Sequence, residues 1–512
     1  MEQKIIHLLS HLLKELPAAQ VRGNPTQPIS GIAYDSRKIQ PGDLFVAIRG
    51  THTDGHRYIA SALERGASAL AVDERYWDAS SAAQIDVPIV VLPNSLVALS
   101  PLAAAFYNYP ARELKVVGIT GTKGKTTTTS LTSRVLDSVY SSGMIGTLDF
   151  KIGPRQWANK TRQSTPEALE IQQMLREMVQ AKCDYDVLEA TSHALSASWN
   201  RLGDCDFDLA VFTNVTHEHL DYHGSVEQYR RDKARLFEAL GQSSNNEPWA
   251  IVNADDPYHQ LFLDAAPSYA RRFSFGIDAQ ADLRAEEIVA TASGTRALLR
   301  SPWGHAPISL RLPGLFNLVN SLAAISVGLS QNIPLETCIA ALEAVEGVRG
   351  RMQPVNLGQP FAVIVDYAHN PDSFEQVMSM LRPLTKGRII ALFGSAGERD
   401  RAKRPMQGAI AARYCDYLVL SDEDPRAEDR YTILEEIAAG AEQEGKRLGS
   451  GYACIADRRE ALQHALAYAQ PDDLVLLLGK GHESTIQYDG FNLEWDEAAE
   501  AEKALRELGY GQ

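Results

Sequence analysis

The sequence predicts an α/β fold divided among three domains. Three observations carry that expectation. At 512 residues the chain exceeds what one core organises, and about 150 residues per domain gives three. Two separate stretches each hold four short, nearly unbroken apolar runs spaced by helical patterns, as parallel sheets covered on both faces do. A segment rich in glycine, threonine and lysine follows directly on one of those runs and precedes a helical pattern.

Composition sets the outer limits. With 45% hydrophobic and 22% charged residues the chain reads as globular, without low-complexity segments. A formal net charge of -15 argues against a nucleic-acid partner, which needs clustered Lys and Arg. Cys183, Cys205, Cys338, Cys415 and Cys454 are scattered, without zinc-ligand spacing or a disulfide framework, and read as thiols in a reducing compartment. The segment MEQKIIHLLSHLLKEL lacks the layout of a signal peptide; Ile5, Leu8, Leu9, Leu12 and Leu16 fall at helical spacing and predict a helix packed on its own core. No run approaches the roughly 18 apolar residues of a membrane span. The expectation is a cytoplasmic monomer that acts on small molecules, without membrane insertion.

The first block, residues 1–95, holds GIAYDS, DLFVAI, SALAVDE and VPIVVL separated by turns, a small mixed α/β domain. Residues 96–107 read as a connecting helix. The second block, 96–346, has the strands LKVVGIT, YDVLEA, DLAVFTN and WAIVN, each ending in a polar cluster. Ligands bind beyond the carboxyl ends of such strands, so these clusters converge on one crevice. The third block, 347–512, repeats the arrangement with FAVIVDYA, RIIALFGS, DYLVLS and DLVLLLG, a second doubly wound, Rossmann-like domain.

Thr120-Gly121-Thr122-Lys123-Gly124-Lys125-Thr126-Thr127 is the strongest local signal. Glycines let the backbone wrap a phosphate, and the N–H groups at the start of the helix point at it. Lys125 supplies charge to the β- and γ-phosphates, and Thr126 a hydroxyl for Mg²⁺. The loop is a variant P-loop, because Ile119 stands where the pattern has its first glycine and Gly118 lies one place earlier. The central domain is therefore expected to be a P-loop parallel-sheet ATPase domain. Glu189 ends the second strand and suits a magnesium site; its plainer reading is a surface ion pair. His217, His219 and His223 fit no zinc spacing. His219 is assigned a hydrogen-bonding or secondary Mg²⁺ role, and His217 and His223 read as structural.

Taken together, TGTKGKTTTT, LEATSHAL and FTNVTHEHLDYHG with YRRDKARLF resemble the Mur ligase family of cell-wall peptide synthetases. YDSRKIQPGDLFVAIRG resembles that family's uridine-binding domain. GLFNLVNSLAA and GVRGRM resemble its ATP-contacting segments, and VDYAHNPDS, FGSAGERDRAKRP and GKGHE its C-terminal domain. Within the family the nearest type adds a diamino acid as the third peptide residue. The resemblance implies that Lys233 is carbamylated by CO₂ and supports a second Mg²⁺, with Glu189 and His219 at metal positions. It implies that Asn317 and Arg351 touch ATP, where their plainer readings are a helix cap and a surface charge. For the UDP-sugar peptide it implies Ser36, the loop Thr51-His52-Thr53, Ser164 with Thr165, Thr191 in place of a usual serine, and Arg201. For the amino acid it implies Arg399, Asp422-Glu423-Asp424-Pro425-Arg426, Gly479 and Glu483.

The chemistry so implied is attack of a D-glutamyl carboxylate on the γ-phosphate of ATP, followed by capture of the acyl phosphate by an amine. Lys125 and Arg351 would stabilise the phosphoryl group in flight. Arg426 would hold a distal carboxylate bidentately, which favours meso-diaminopimelate. Asp424 replaces a usual asparagine, and that added negative charge favours the terminal ammonium of L-lysine or L-ornithine instead. The competing classes are a folylpolyglutamate synthase-like ligase, a P-loop NTPase switch and a non-catalytic scaffold.

Overall fold

The computed structural model describes residues 5–50, 53–78, 80, 85–161, 163–216, 223–244, 247–291 and 294–511. It divides into two compact units, Met1–Arg284 with Asn320–Cys338, and Ala285–Val319 with Ile339–Gln512. Among the described residues no helix is long and apolar enough to cross a membrane.

The N-terminal part of the first unit is a five-stranded sheet in the order Gln20–Arg22, Ile89–Leu92, Ala69–Asp73, Asp43–Val46, Gly31–Ala33. Only the Gln20–Arg22 edge is antiparallel. Alternate residues of the central strands feed two cores, with Leu44, Val46, Ala69 and Ala71 on one face and Phe45, Leu70 and Val72 on the other. The helix Ser95–Phe106 is capped by Asn94, whose side chain accepts from the N–H groups of Leu96 and Val97, and it packs on the first of these cores. The N-terminal stripe is not one helix. Residues His7–Leu8 form a strand and only Leu9–Leu12 is helical. Leu9 and Leu12 enter the core while Leu8 is exposed, because pairing of His7 and Leu8 with Ile29 and Pro28 holds the backbone extended there.

The central sheet runs Arg155–Ala158, Asp149–Ile152, Ser142–Ile145, Tyr185–Glu189, Lys115–Thr120, Phe207–Phe212, Trp249–Asn253, Arg271–Gly276. From Ser142 to Gly276 it is parallel, and these apolar runs are buried along nearly their whole length, as two-sided cover requires. The sequence reading missed the antiparallel hairpin Asp149–Ala158 at one edge, whose two strands are only 4 residues each. Lys151 is held inside by Ser133, Ser142 and Asp137.

The second unit carries a six-stranded sheet ordered Gln353–Pro354, Ala362–Asp366, Leu474–Leu478, Ile389–Phe393, Tyr417–Leu420, Tyr452–Cys454, parallel except at Gln353–Pro354. Helices cover both faces, giving two apolar cores. The order reverses between Leu474–Leu478 and Ile389–Phe393, so a crevice opens beyond their carboxyl ends. The unit also holds the hairpin Gly294–Ser301 with Gly304–Leu310. Four cysteines are buried and Cys454 is exposed; all five are free thiols.

Candidate active site

The strand Lys115–Thr120 runs into Gly121–Gly124, and the helix Lys125–Leu136 begins at once, so its first N–H groups open onto the loop. Gly124 caps that helix at φ 83°, and a Cβ there would sit 2.4 Å from Asn320 Oδ1. A Cβ on Gly121 would lie 1.9 Å from Thr213 Oγ1. Residues 213–216 clamp the loop from the side. Thr122 N–H donates to Asn214 O (2.7 Å), Lys123 N–H to Asn214 Oδ1 (3.0 Å), and Asn214 Nδ2 and Thr213 Oγ1 donate to Lys123 O (3.0 and 2.7 Å). Lys125 Nζ folds back to donate to the carbonyls of Gly121 (3.0 Å) and Thr122 (2.9 Å). Thr127 is buried in the first turn.

Glu189, 1% exposed, is the centre of a second cluster. Thr126 Oγ1 donates to its Oε1 at 3.1 Å, and Thr147 N–H donates to Oε2 at 3.1 Å. The Thr147 hydroxyl lies 2.8 Å from Glu189 Oε2 and 2.7 Å from Ser164 Oγ. Glu189 has no ion pair among the described residues, so the surface-pair reading does not hold. Thr165 Oγ1 donates to Glu189 O at 2.7 Å and lies 3.1 Å from Thr191 Oγ1. Arg201 donates to Thr165 O (3.2 Å), pairs with Glu167 and lies over the Trp199 ring. Burial pushes the Glu167 carboxyl up, and Arg201 offsets part of that. The loop, the acidic strand end and the Ser164–Arg201 group are thus one connected network.

Lys233 is 1% exposed, with Nζ donating to Gly121 O at 2.6 Å and lying 4.5 Å from the Tyr229 ring centre. His223 is buried against Asp232 and Ser192. Thr51, His52, His217 and His219 lie outside the described residues. Ser36 opens the short 3-10 turn Ser36–Lys38 and is buried, whereas Thr53 is exposed and its carbonyl accepts from Gly50 N–H. Neither is joined to the Glu189 network by a hydrogen bond among the described residues.

The remaining candidates belong to the second unit. Asn317 is buried inside the helix Leu315–Ser330, not capping it, and its Nδ2 donates to Pro313 O at 2.8 Å. Arg351 lies 4.8 Å from the Tyr367 ring centre. Beside it the buried Asp366 accepts from the N–H groups of Met352 and Ala368, and desolvation nevertheless raises its carboxyl.

At the crevice of the C-terminal sheet, Asp424 is paired with the fully buried Lys480 (2.8 Å), which also pairs with Glu483 (2.6 Å). Asp424 is therefore ion-paired rather than free, and shares the one cation of Lys480 with Glu483. Asp422 pairs with Arg430 and accepts from Tyr488 OH at 3.0 Å. Glu423 is 7% exposed, its Oε2 has no partner, and burial pushes its carboxyl up to about 7. A Cβ on Gly479 would come within 2.9 Å of that oxygen. Arg426, at φ 55°, makes no ion pair among the described residues, and its Nε is buried without a hydrogen-bond partner. Asp429 caps the helix Arg430–Gln443. Pro425, Arg426, Arg430, Tyr488 and Phe491 line an open pocket of about 480 Å³. Arg399 is exposed on the neighbouring 394–401 loop.

Sequence reasoning missed Thr147, Glu167, Asn214, Asn320 and Lys480. Lys480, Asn214 and Asn320 carried a signal, since they lie inside the GKGHE, FTNVTHEHLDYHG and GLFNLVNSLAA segments; Thr147 and Glu167 matter through contacts distant along the chain. Among the described residues no three His, Cys, Asp or Glu side chains gather as a metal site.

A phosphate-wrapping loop, a helix that opens on it and an acidic strand end define an ATP-dependent ligase once the family is known. Three family models cover most of the chain: the Mur ligase family catalytic domain at 28–107, the Mur ligase middle domain at 119–328 and the Mur ligase glutamate ligase domain at 350–481. A UDP-N-acetylmuramyl-tripeptide synthetase of Roseiflexus sp. (strain RS-1) is 56% identical over 515 residues, 99% of this chain and 100% of that protein. A UDP-N-acetylmuramoyl-L-alanyl-D-glutamate–2,6-diaminopimelate ligase of Syntrophomonas wolfei is 40% identical over 504 residues, 98% of this chain and 99% of that protein. A solved structure of a ligase of that same name is 28% identical, with a TM-score of 0.68, covering 96% of this chain and 97% of its own. The chain belongs to the Mur ligase family, and has its three-domain architecture.

Proposed function

We propose that this ligase is of the MurE type, adding a diamino acid to UDP-MurNAc-L-Ala-D-Glu with ATP in the synthesis of peptidoglycan precursors. The observation that carries the reading is the single network joining Thr126, Glu189, Thr147, Ser164, Thr165 and Arg201, which puts phosphate-binding and acceptor-binding candidates in hydrogen-bond contact. The names of the relatives agree with it. In this reading residues 1–95 bind the UDP-sugar, through Ser36 and the Thr51–Thr53 loop, residues 96–346 bind ATP, and residues 347–512 bind the amino acid.

The D-glutamyl side-chain carboxylate attacks the γ-phosphate, ADP leaves, and the amine displaces phosphate from the acyl phosphate to form the amide. Lys125 and the loop N–H groups hold the phosphates; Arg351 and Asn317 contact ATP. Thr126 and Glu189 offer oxygen donors with a carboxylate that lacks a cation, which suits Mg²⁺; the ion would neutralise phosphate charge. His219 is assigned to the same metal position. Lys233 fits carbamylation, since a carbamate nitrogen keeps one N–H to donate to Gly121 O.

The amine favoured is meso-diaminopimelate, because the unpaired guanidinium of Arg426 lines the pocket and matches a distal carboxylate. Glu423 is the observation that favours L-lysine or L-ornithine, as a buried carboxyl with an unpartnered oxygen. Amine-dependent ADP release with UDP-MurNAc-L-Ala-D-Glu and each of the three diamino acids tests the proposal. ADP release that needs no amine, or none at all, contradicts it.

A further inference from the structure

Asp232, His223 and Ser192 form a buried relay. His223 Nδ1 lies 2.8 Å from Asp232 Oδ2, and its Nε2 lies 3.0 Å from Ser192 Oγ. All three residues are buried. One tautomer satisfies both of these partners: Nδ1–H donates to the carboxylate, and Nε2 accepts the serine hydroxyl. The other oxygen of Asp232 accepts from Gln228 Nε2 at 3.0 Å.

The relay joins two segments that matter to the chemistry. Ser192 stands three residues beyond Glu189 and next to Thr191, at the start of the four-residue helix Ser192–Leu195. So short a helix has little stability of its own, and its place depends on side-chain anchors. Asp232 stands next to Lys233 on the helix Val226–Glu238, and Lys233 reaches back to Gly121 O. Tyr229 of the same helix lies beside the His223 ring and 3.1 Å from Thr122 Oγ1. A shift of this helix would move Lys233 and Tyr229 together against the loop.

We infer that His223 is a positioning residue, which through Ser192 and Asp232 sets the spacing between the Glu189–Ser192 turn and the helix that carries Lys233. The inference rests on the proposed ligase reading. The same three side chains are also the types of a nucleophilic triad, but Ser192 Oγ is enclosed, so the positioning role is the one the burial favours.

The test uses the full-length protein and the variants His223→Ala, His223→Asn, Ser192→Ala and Ser192→Ala/His223→Ala. In amine-dependent ADP release, His223→Ala lowers kcat about 10- to 100-fold, the range for partners that orient an active-site group, while KM for ATP and for the amine barely moves. His223→Asn, which keeps a donor towards Asp232, recovers part of the rate. The double variant is no slower than His223→Ala, because one broken link already opens the relay. Hydrogen–deuterium exchange is read in parallel and needs no activity: both 189–195 and 226–238 exchange faster in His223→Ala and in Ser192→Ala. A kcat within twofold of wild type, losses that multiply in the double variant, exchange confined to one segment, or labelling of Ser192 by a fluorophosphonate each overturns the inference. A wild-type protein without ligase activity sinks the proposed function alone, and the exchange result then decides the relay. Should His223→Ala not fold, Ser192→Ala and His223→Asn carry the comparison.

Discussion

Thr126 and Glu189 face each other at 3.1 Å, hydroxyl to carboxylate, although 62 residues separate them in the chain. The parallel register does this. Glu189 pairs opposite Ile119, so the strand Tyr185–Glu189 ends level with the strand that feeds the loop. A carboxylate at that height meets the first turn of the helix; one residue earlier its side chain would point to the opposite face.

Glu189→Gln keeps the shape of that contact and removes its charge. The expected outcome is a fall of about 10²- to 10³-fold in amine-dependent ADP release, with an unchanged thermal midpoint. Lys125→Ala is expected to lose as much and to weaken ATP binding measured by calorimetry. Ligation that survives Lys125→Ala would contradict the phosphate assignment.

Gly124→Ala forces a side chain into a left-handed backbone and to within 2.4 Å of Asn320 Oδ1. The cost is on the order of 1–3 kcal/mol, read as a lower thermal midpoint together with weaker ATP binding. Gly241→Ala, where nothing lies within 4 Å of the added Cβ, is the control and should change neither.

Asp186 lies in the core, where burial pushes its carboxyl up to about 7 and the Val187 N–H offsets only part of that. Unfolded, it titrates near about 3.9. The folded state therefore favours the protonated form, and stability from this group is full below pH 4 and lost as pH rises towards 7. Asp186→Asn cannot titrate. Between pH 5 and pH 8 the difference in thermal midpoint should move in favour of the variant; a constant difference would show that Asp186 does not titrate in that window.

Arg426→Lys keeps the charge and loses the planar fork. With meso-diaminopimelate the KM is expected to rise about 10- to 100-fold, the loss of one charge-assisted hydrogen bond or more. With L-lysine it should barely change. Equal effects on both amines would remove Arg426 from the recognition of a distal carboxylate.

The fully buried Arg404 holds Glu428 through two contacts of 2.7 and 2.8 Å and Glu436 through one of 2.7 Å. Arg404→Met leaves two carboxylates without that partner and is expected to destabilise the second unit by about 3 kcal/mol or more. The Arg404 guanidinium holds the Glu428 carboxyl down at about 2, so this stabilisation is present above the unfolded value near about 4.3 and is lost as pH falls towards 2. Wild type should show that acid dependence in thermal melts and the variant should show less of it, the remainder coming from the Glu398 N–H and Arg401, which also lower Glu428.

Strand runs such as LKVVGIT and DLVLLLG were legible because burial on both faces demands unbroken apolar residues, and the loop was legible because phosphate wrapping demands glycine. The hairpin Asp149–Ala158 was not, since its strands are 4 residues each, too short for the alternation of Asp149–Ile152 to stand out, and Arg155–Ala158 carries no alternation. The N-terminal stripe misled because strand pairing at His7–Leu8 overrode a helical spacing.

The sequence by itself determined the buried strands of the two larger sheets, the phosphate loop and the residue types at the strand ends, because those follow from local hydrophobic period and backbone freedom. Tertiary structure decided which charges are already answered. Lys480 pairs with both Asp424 and Glu483, while Glu189 and Arg426 make no ion pair among the described residues. Whether a charged group is free for a ligand depends on what lies within about 4 Å of it, and that distance joins residues tens or hundreds of positions apart.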